Sequence, residues 1–288
     1  MIESGAQNQK SFHLAGVVPI AGQPLDLNFP WHDSLMPVGE QYLALERAVA
    51  ECAAAGCETI WIVCHKETQS LVRERIGEWV YDPVSLKRGP YSSGEERQVP
   101  IFYVPVHPKD RDRRDCLGWS VLYGALTAYH LSRKLSKWVV PDKYYVAFPY
   151  GVYPPEVVRT HRKKISSSET FCLTFNGESV KSGEYLGFTF DGEDFKRCRR
   201  AVREQATATY DSEGNKLPLE KRYSARYFPL DIVFDSVIME EQNAVELPWY
   251  YRVDSWETYR NFISSNETIT KPERMNYNEW NPIGYDGE

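Results

Sequence analysis

Basic stretches, zinc-type cysteine spacings, long apolar runs and internal repeats are all missing from this 288-residue chain, and each absence removes a class of function. The formal net charge is −6. No segment is basic enough to serve as an electrostatic footprint, which argues against nucleic acid as a partner. No apolar run approaches about eighteen residues, and no signal-peptide pattern is visible, so no membrane span is expected. The cysteines at 52, 57, 64, 116, 172 and 198 form no CxxC pair. Most lie in apolar patterns, which predicts reduced, buried thiols and a cytoplasmic protein. There is no GxSxG, no HExxH and no Walker loop.

What is present is an alternation of short apolar runs with helical periodicities. Residues 14–20, 59–64, 99–106 and 143–148 read as buried strands. Residues 40–55, 67–79 and 117–135 read as helices, the last with Leu117, Val121, Ala125, Ala128, Leu131 and Leu135 in register. Strands alternating with helices of this length predict a Rossmann-like α/β fold: a mostly parallel central sheet with helices on both faces. The second half changes character. Residues 171–190 read as two strands about a Gly/Asn/Ser turn, 194–207 as a helix, 230–237 and 247–253 as strands, and 254–265 as a helix. The expected division is a tail at 1–13, an α/β half at 14–155, a mixed half at 156–270 completing the same domain, and a tail at 271–288.

The first strand runs into a long segment without regular pattern, from Ala21 to Gly39. It leaves the edge where ligands bind in open parallel sheets, at the carboxyl ends of the strands. Its apolar residues predict an ordered loop that folds over a pocket, with Phe29, Trp31 and Met36 mostly buried and His32 and Asp33 facing the cleft. His65 and His107 follow the second and third long strands and, with Cys64, are expected at the same edge. "KDRDRRD", residues 109–115, contains a DxD.

The order of these segments resembles the sugar-phosphate nucleotidyltransferases, which have a GT-A-type fold. That family runs from its first strand into GGxGTR, then PK-x-L-x-PV, a helix, and a G-x-x-x-I-x-I-V strand. Here "AGQPLDLN", "HDSLMPVGEQ", a helix and "AGCETIWIVC" follow in the same order. "LGWSVLYGALTA" resembles the base-contacting LGTAxAvxxA segment, "YYVAFPYGVY" sits where the family has its vlxGDv strand end, and "YYRVDSWETY" resembles xxxVDTPEDY. The resemblance implies nucleotide contacts at Ala21, Gly22, Gln23, Gly118, Trp119, Ser120, Tyr150 and Gly151. It implies catalytic positions at Asp33 and Asp254, with Asp254 also the metal position. Asp254-Ser-Trp-Glu257 also reads as a helix capping box, the reading the pattern favours, though one carboxylate can serve both roles.

The departures from the family pattern concern charge. Pro24 removes an amide from the phosphate loop, and no Lys or Arg occurs between Gly16 and Val38. The family's Lys falls on Asp33, and its first metal-binding Asp falls on Tyr150 or Gly151. Phosphoryl-type transfer depends on cations set against the phosphates. The expectation is therefore a nucleotidyltransferase-like protein with weak or lost activity, using Mg²⁺ if active. The alternatives are a non-catalytic protein that binds a nucleotide or nucleotide sugar, or serves in an assembly or homo-oligomer, and a glycosyltransferase with a nucleotide-sugar donor.

Overall fold

The structure, a computed structural model, describes residues 12–22, 25–86, 97–111, 114–136, 139–206, 210, 213–216, 228–272 and 275. The strands are β1 (Leu14–Pro19), β2 (Pro37–Gly39), β3 (Tyr42–Leu43), β4 (Thr59–Cys64), β5 (Trp79–Tyr81), β6 (Gln98–Pro105), β7 (Lys143–Val146), β8 (Gly151–Val152), β9 (Cys172–Thr174), β10 (Phe188–Asp191), β11 (Ala244–Glu246) and β12 (Tyr251–Arg252). The helices are α1 (Ala44–Ala55), α2 (Lys66–Ile76), α3 (Pro83–Leu86), α4 (Pro108–Arg111), α5 (Leu117–Leu135), α6 (Pro155–Thr160), α7 (Arg162–Ile165), α8 (Gly192–Ala206), α9 (Leu230–Phe234) and α10 (Trp256–Ile263).

Eight strands form one sheet in the order β11-β9-β10-β7-β1-β4-β6-β5. At its centre β1 lies parallel to both β4 and β7, and β4 lies parallel to β6. All six residues of β1 are buried, as expected for a strand covered on both faces. The antiparallel pairings are those of β10 with β7 and β9, and of β5 with β6. This is the mostly parallel α/β architecture anticipated, and strands from both sides of residue 155 share it.

Local chemistry sets the element ends. The Ala-rich α1 stops at Gly56, whose φ of 96° supplies the left-handed turn. It begins at Ala44 rather than Glu40, because residues 37–43 fold into the β2–β3 hairpin and the Glu46 carboxylate accepts the Leu43 N–H at 2.9 Å. Likewise α2 ends at Ile76, and beyond Gly77 (φ 87°) Trp79 enters a strand rather than continuing the helix. In α5 the predicted stripe fails at its end, with Leu131 43% and Leu135 80% exposed. Residues 230–237, expected as a strand, contain α9 instead. Leu230, Val233, Phe234 and Val237 are buried at helical spacing. Among the described residues, no helix is long and apolar enough to cross a membrane, and all six cysteines are buried and unpaired.

A buried ionic knot underlies the turn that follows β7. Arg47 and Glu51, one helical turn apart in α1, are each 1% exposed along their side chains and meet at 2.5 Å. Arg47 also donates to the Phe148 carbonyl at 2.5 Å, and the Tyr145 and Tyr153 hydroxyls donate to Glu51 at 2.6 and 2.5 Å. Burial opposes the charge on Arg47, but Glu51 and the neighbouring tyrosines outweigh it and hold the guanidinium pKa above its ordinary value. The knot fixes residues 148–153, which carry Tyr150 and Gly151.

Candidate functional site

The loop after β1, the start of α5 and the segment after β12 meet at a cleft of about 250 Å³ lined by Leu25, Asp26, Cys116, Leu117, Gly118, Tyr185, Phe228, Leu230, Arg252 and Asp254. The loop after β1 reaches it under tight restraint. Ile20 and Ala21 both donate to the Val63 carbonyl, and Ser120 Oγ donates to the Ala21 carbonyl at 2.7 Å. Gly22 packs on the start of α5: a Cβ there would lie 3.2 Å from the Leu117 nitrogen. Ala21, Gly22, Gly118 and Ser120 are therefore gathered around one helix start. Gln23 lies outside the described residues, as do Pro24, Asp112 of the DxD and most of both outer tails.

Of the residues gathered there, Gly118 lines the cleft, whereas Ala21 and Ser120 are buried, and the other predicted positions also turn inward. Trp119 is 5% exposed, its ring is covered by the Arg114 guanidinium at 4.4 Å, and its indole nitrogen has no partner among the described residues. It offers no open face to a base. Tyr150 is buried, with its pKa pushed up by burial and by the Asp33 and Tyr185 charges. Gly151 sits where only glycine fits, since a Cβ would fall 1.8 Å from the Tyr185 carbonyl oxygen. Asp33 does not face the cleft. Its carboxylate accepts the Leu25 N–H at 2.9 Å, so it ties the loop to itself. His32 also lies away from the cleft lining, hydrogen-bonded through Nδ1 to Ser34 Oγ at 2.8 Å. Burial lowers its pKa, aided by His65 and opposed by Asp33 and the Ile20 backbone.

The expected burial of the loop is half right. Met36 is fully buried, but Trp31 is 49% exposed, stacked on a partly buried Phe29 at 5.3 Å. The loop closes on the late segment instead of over the cleft mouth. Asp26 N–H donates to the Asp254 carbonyl, and Trp256 N–H donates to the Asp26 carbonyl at 3.0 Å.

At the late segment the capping box belongs to Ser255 and Thr258, not to Asp254 and Glu257. This frees the Asp254 carboxylate, which accepts from Arg252 Nε at 2.5 Å. Arg252 also lies 3.5 Å from Glu184 and stacks over the Tyr185 ring at 4.8 Å. Burial opposes its charge, but Asp254, Tyr185 and Glu184 together raise its pKa. Sequence reasoning missed Arg252. Its signal was the alternation within "YYRVD", which sends Arg252 and Asp254 to the same side of an extended segment. Among the described residues no three His, Cys, Asp or Glu side chains converge to hold a metal ion. The donor set around Asp254 does not fit one, because its near neighbour is a guanidinium.

His65 and Asp115 form a separate pair at 2.9 Å at the end of β4, and His107 Nδ1 accepts the Lys109 N–H in the next loop. Neither lines the cleft.

No protein-family model and no curated protein matches the sequence. Solved structures do resemble it. A Bacillus anthracis protein named as a glucose-1-phosphate thymidylyltransferase, solved with a sucrose, superposes with a TM-score of 0.52 at 10% identity, over 90% of this chain and 98% of that one. The chain has the fold of a sugar-phosphate nucleotidyltransferase. A UDP-glucose pyrophosphorylase solved with UDP-glucose gives a TM-score of 0.49 at 14% identity, over 87% and 97% of the two chains. A Mycobacterium tuberculosis protein solved with manganese gives 0.46 at 14% identity, over 88% and 100%. At such identities the likeness to a nucleotidyltransferase is one of fold, and the residues of this cleft must speak for its chemistry.

Proposed function

We propose that this chain is a nucleotidyltransferase-like protein with weak or lost transfer activity, which keeps the cleft as a binding site for a nucleotide or nucleotide sugar. One observation carries the reading: Asp254, the acid expected to hold a metal, is engaged by Arg252 at 2.5 Å. Transfer to a sugar 1-phosphate makes a new bond from the sugar-phosphate oxygen to the α-phosphorus of the NTP and expels pyrophosphate. That step gathers negative charge, and enzymes meet it with cations and Mg²⁺. Among the described residues the cleft offers one arginine, already shared between two carboxylates, with Asp26 a further acid on its wall. Mg²⁺ belongs only to an active form, which would need other ligands. Tyr185, Phe228 and the leucines supply apolar and aromatic surface for a base or sugar ring, and Arg252 supplies a single contact to phosphate. A cytoplasmic setting suits the six unpaired thiols.

Calorimetric titration with UDP-glucose and UTP, in Mg²⁺ and again in EDTA, tests this. Weak binding that is indifferent to metal and disappears in Arg252→Ala is expected. Binding that demands Mg²⁺ and survives Arg252→Ala would overturn it.

A further inference from the structure

Outside the cleft, the same pair of segments builds a second feature. The Asp26–Ser255 bridge brings Phe29 and Trp31 beside α10. Trp31 stacks on Phe29 with 14° between planes, and Trp256 meets Phe29 edge-on at 6.1 Å and 90°. Tyr259 closes the base of the group, edge-on to Phe29 at 5.7 Å, with its hydroxyl donating to the Pro37 carbonyl at 2.8 Å. The two tryptophans thus stand at a steep angle to each other over a packed aromatic floor, yet remain 49% and 54% exposed. Core packing does not explain them, since both leave about half their surface in water.

We propose that Trp31, Phe29 and Trp256 form a stacking platform for an uncharged pyranose, as in an oligosaccharide. Three observations select that occupant. First, the rings pack on one another and on Tyr259 beside the Asp26–Ser255 bridge, so a weakly held ligand meets a preformed surface. Second, the exposed polar residues flanking the rings in the chain are Asp26, Asn28, Glu257 and Arg260. Two carboxylates against one cation disfavour a phosphorylated ligand, whereas carboxylates and an amide accept and donate to sugar hydroxyls. Asn28 Nδ2 already donates to Asp26 at 3.3 Å, which presents the amide and acid together. Third, Asp26 and Asp254 also line the cleft, so the platform continues from it along one surface. The inference rests on that continuity but not on the identity of the cleft ligand.

The tryptophan indole N–H resonances provide the test. Methyl α-glucoside, maltotriose and cellotriose are titrated into the full-length protein, and the two signals are assigned by their loss in Trp31→Phe and Trp256→Phe. Saturable shifts confined to Trp31 and Trp256 are expected with at least one sugar. Trp31→Ala and Trp256→Ala should each weaken that sugar by about ten-fold, the loss of roughly one stacked ring. Arg252→Ala should leave sugar binding unchanged while abolishing the UDP-glucose response, so the platform and the cleft fail or stand separately. Absence of saturable shifts with all three sugars would overturn the proposal. So would shifts that survive both alanine substitutions, or concentration-dependent self-association that removes both tryptophans from solvent.

Discussion

Two arginine–carboxylate groups of like chemistry sit on either side of residues 148–153. Arg47 with Glu51 is sealed within the core at 1% exposure on each side chain, with two tyrosine hydroxyls completing the acceptor's shell. Arg252 with Asp254 stands at the cleft, 39% and 23% exposed, and leaves room for a ligand. The difference shows that burial, rather than ion-pair geometry, decides whether such a pair serves the fold or the site. Both pairs close at 2.5 Å, yet only the outer one can exchange a partner for solvent or substrate.

The largest expected effect falls on the inner pair. Glu51→Gln leaves a buried guanidinium without its counter-charge and should cost about 3–5 kcal/mol in denaturant unfolding. A loss below about 1 kcal/mol would erase the distinction between the pairs. Gly151→Ala comes next. Its Cβ would drive against the Tyr185 backbone, so a cost of about 1–3 kcal/mol is expected, together with weaker UDP-glucose binding as Tyr185 shifts beneath Arg252. Arg252→Ala should change stability by less than about 1 kcal/mol, because its pairs are partly solvated. A large stability loss there, with binding intact, would make the outer pair structural too.

The smallest effect concerns the loop wall and depends on pH. Burial holds the His32 pKa below its ordinary 6.5 in the folded state. The unfolded loop therefore binds more protons as pH falls through that value, and the loop's stability is lost on acidification rather than gained. Amide exchange over residues 25–36 should speed up below pH 6.5, and His32→Gln should flatten the dependence. Faster exchange on raising the pH, after correction for intrinsic rates, would reverse the sign.

The central sheet was legible because its strands are continuous apolar runs and its helices carry plain periodicity, as in β1, β4 and α5. The second half was harder to read where short elements overlap both patterns. Leu230, Val233, Phe234 and Val237 have helical spacing, but the intervening Ile232 gave the stretch a strand-like density of β-branched residues. The closeness of Gly22, Gly118 and Ser120 around the start of α5 followed from segment order. The orientation of Asp33, Trp119 and Tyr150 did not, because whether a side chain faces the cleft or the core depends on partners distant in sequence. Leu25 claims Asp33, Arg114 covers Trp119, and Tyr185 packs on Tyr150 at 5.9 Å. The Arg252–Asp254 pair is a local feature of β12 and the residues just after it, yet its meaning came only from the cleft around it.

The most direct test of the account is a turnover measurement. Purified protein is given UTP or dTTP with glucose 1-phosphate and Mg²⁺ or Mn²⁺, and pyrophosphate release is followed alongside formation of the nucleotide sugar. Release at or only slightly above the enzyme-free rate is expected, with UDP-glucose still bound in EDTA. Robust turnover that vanishes in Asp254→Ala would contradict it, since Asp254 would then be serving as a catalytic metal ligand despite its arginine partner.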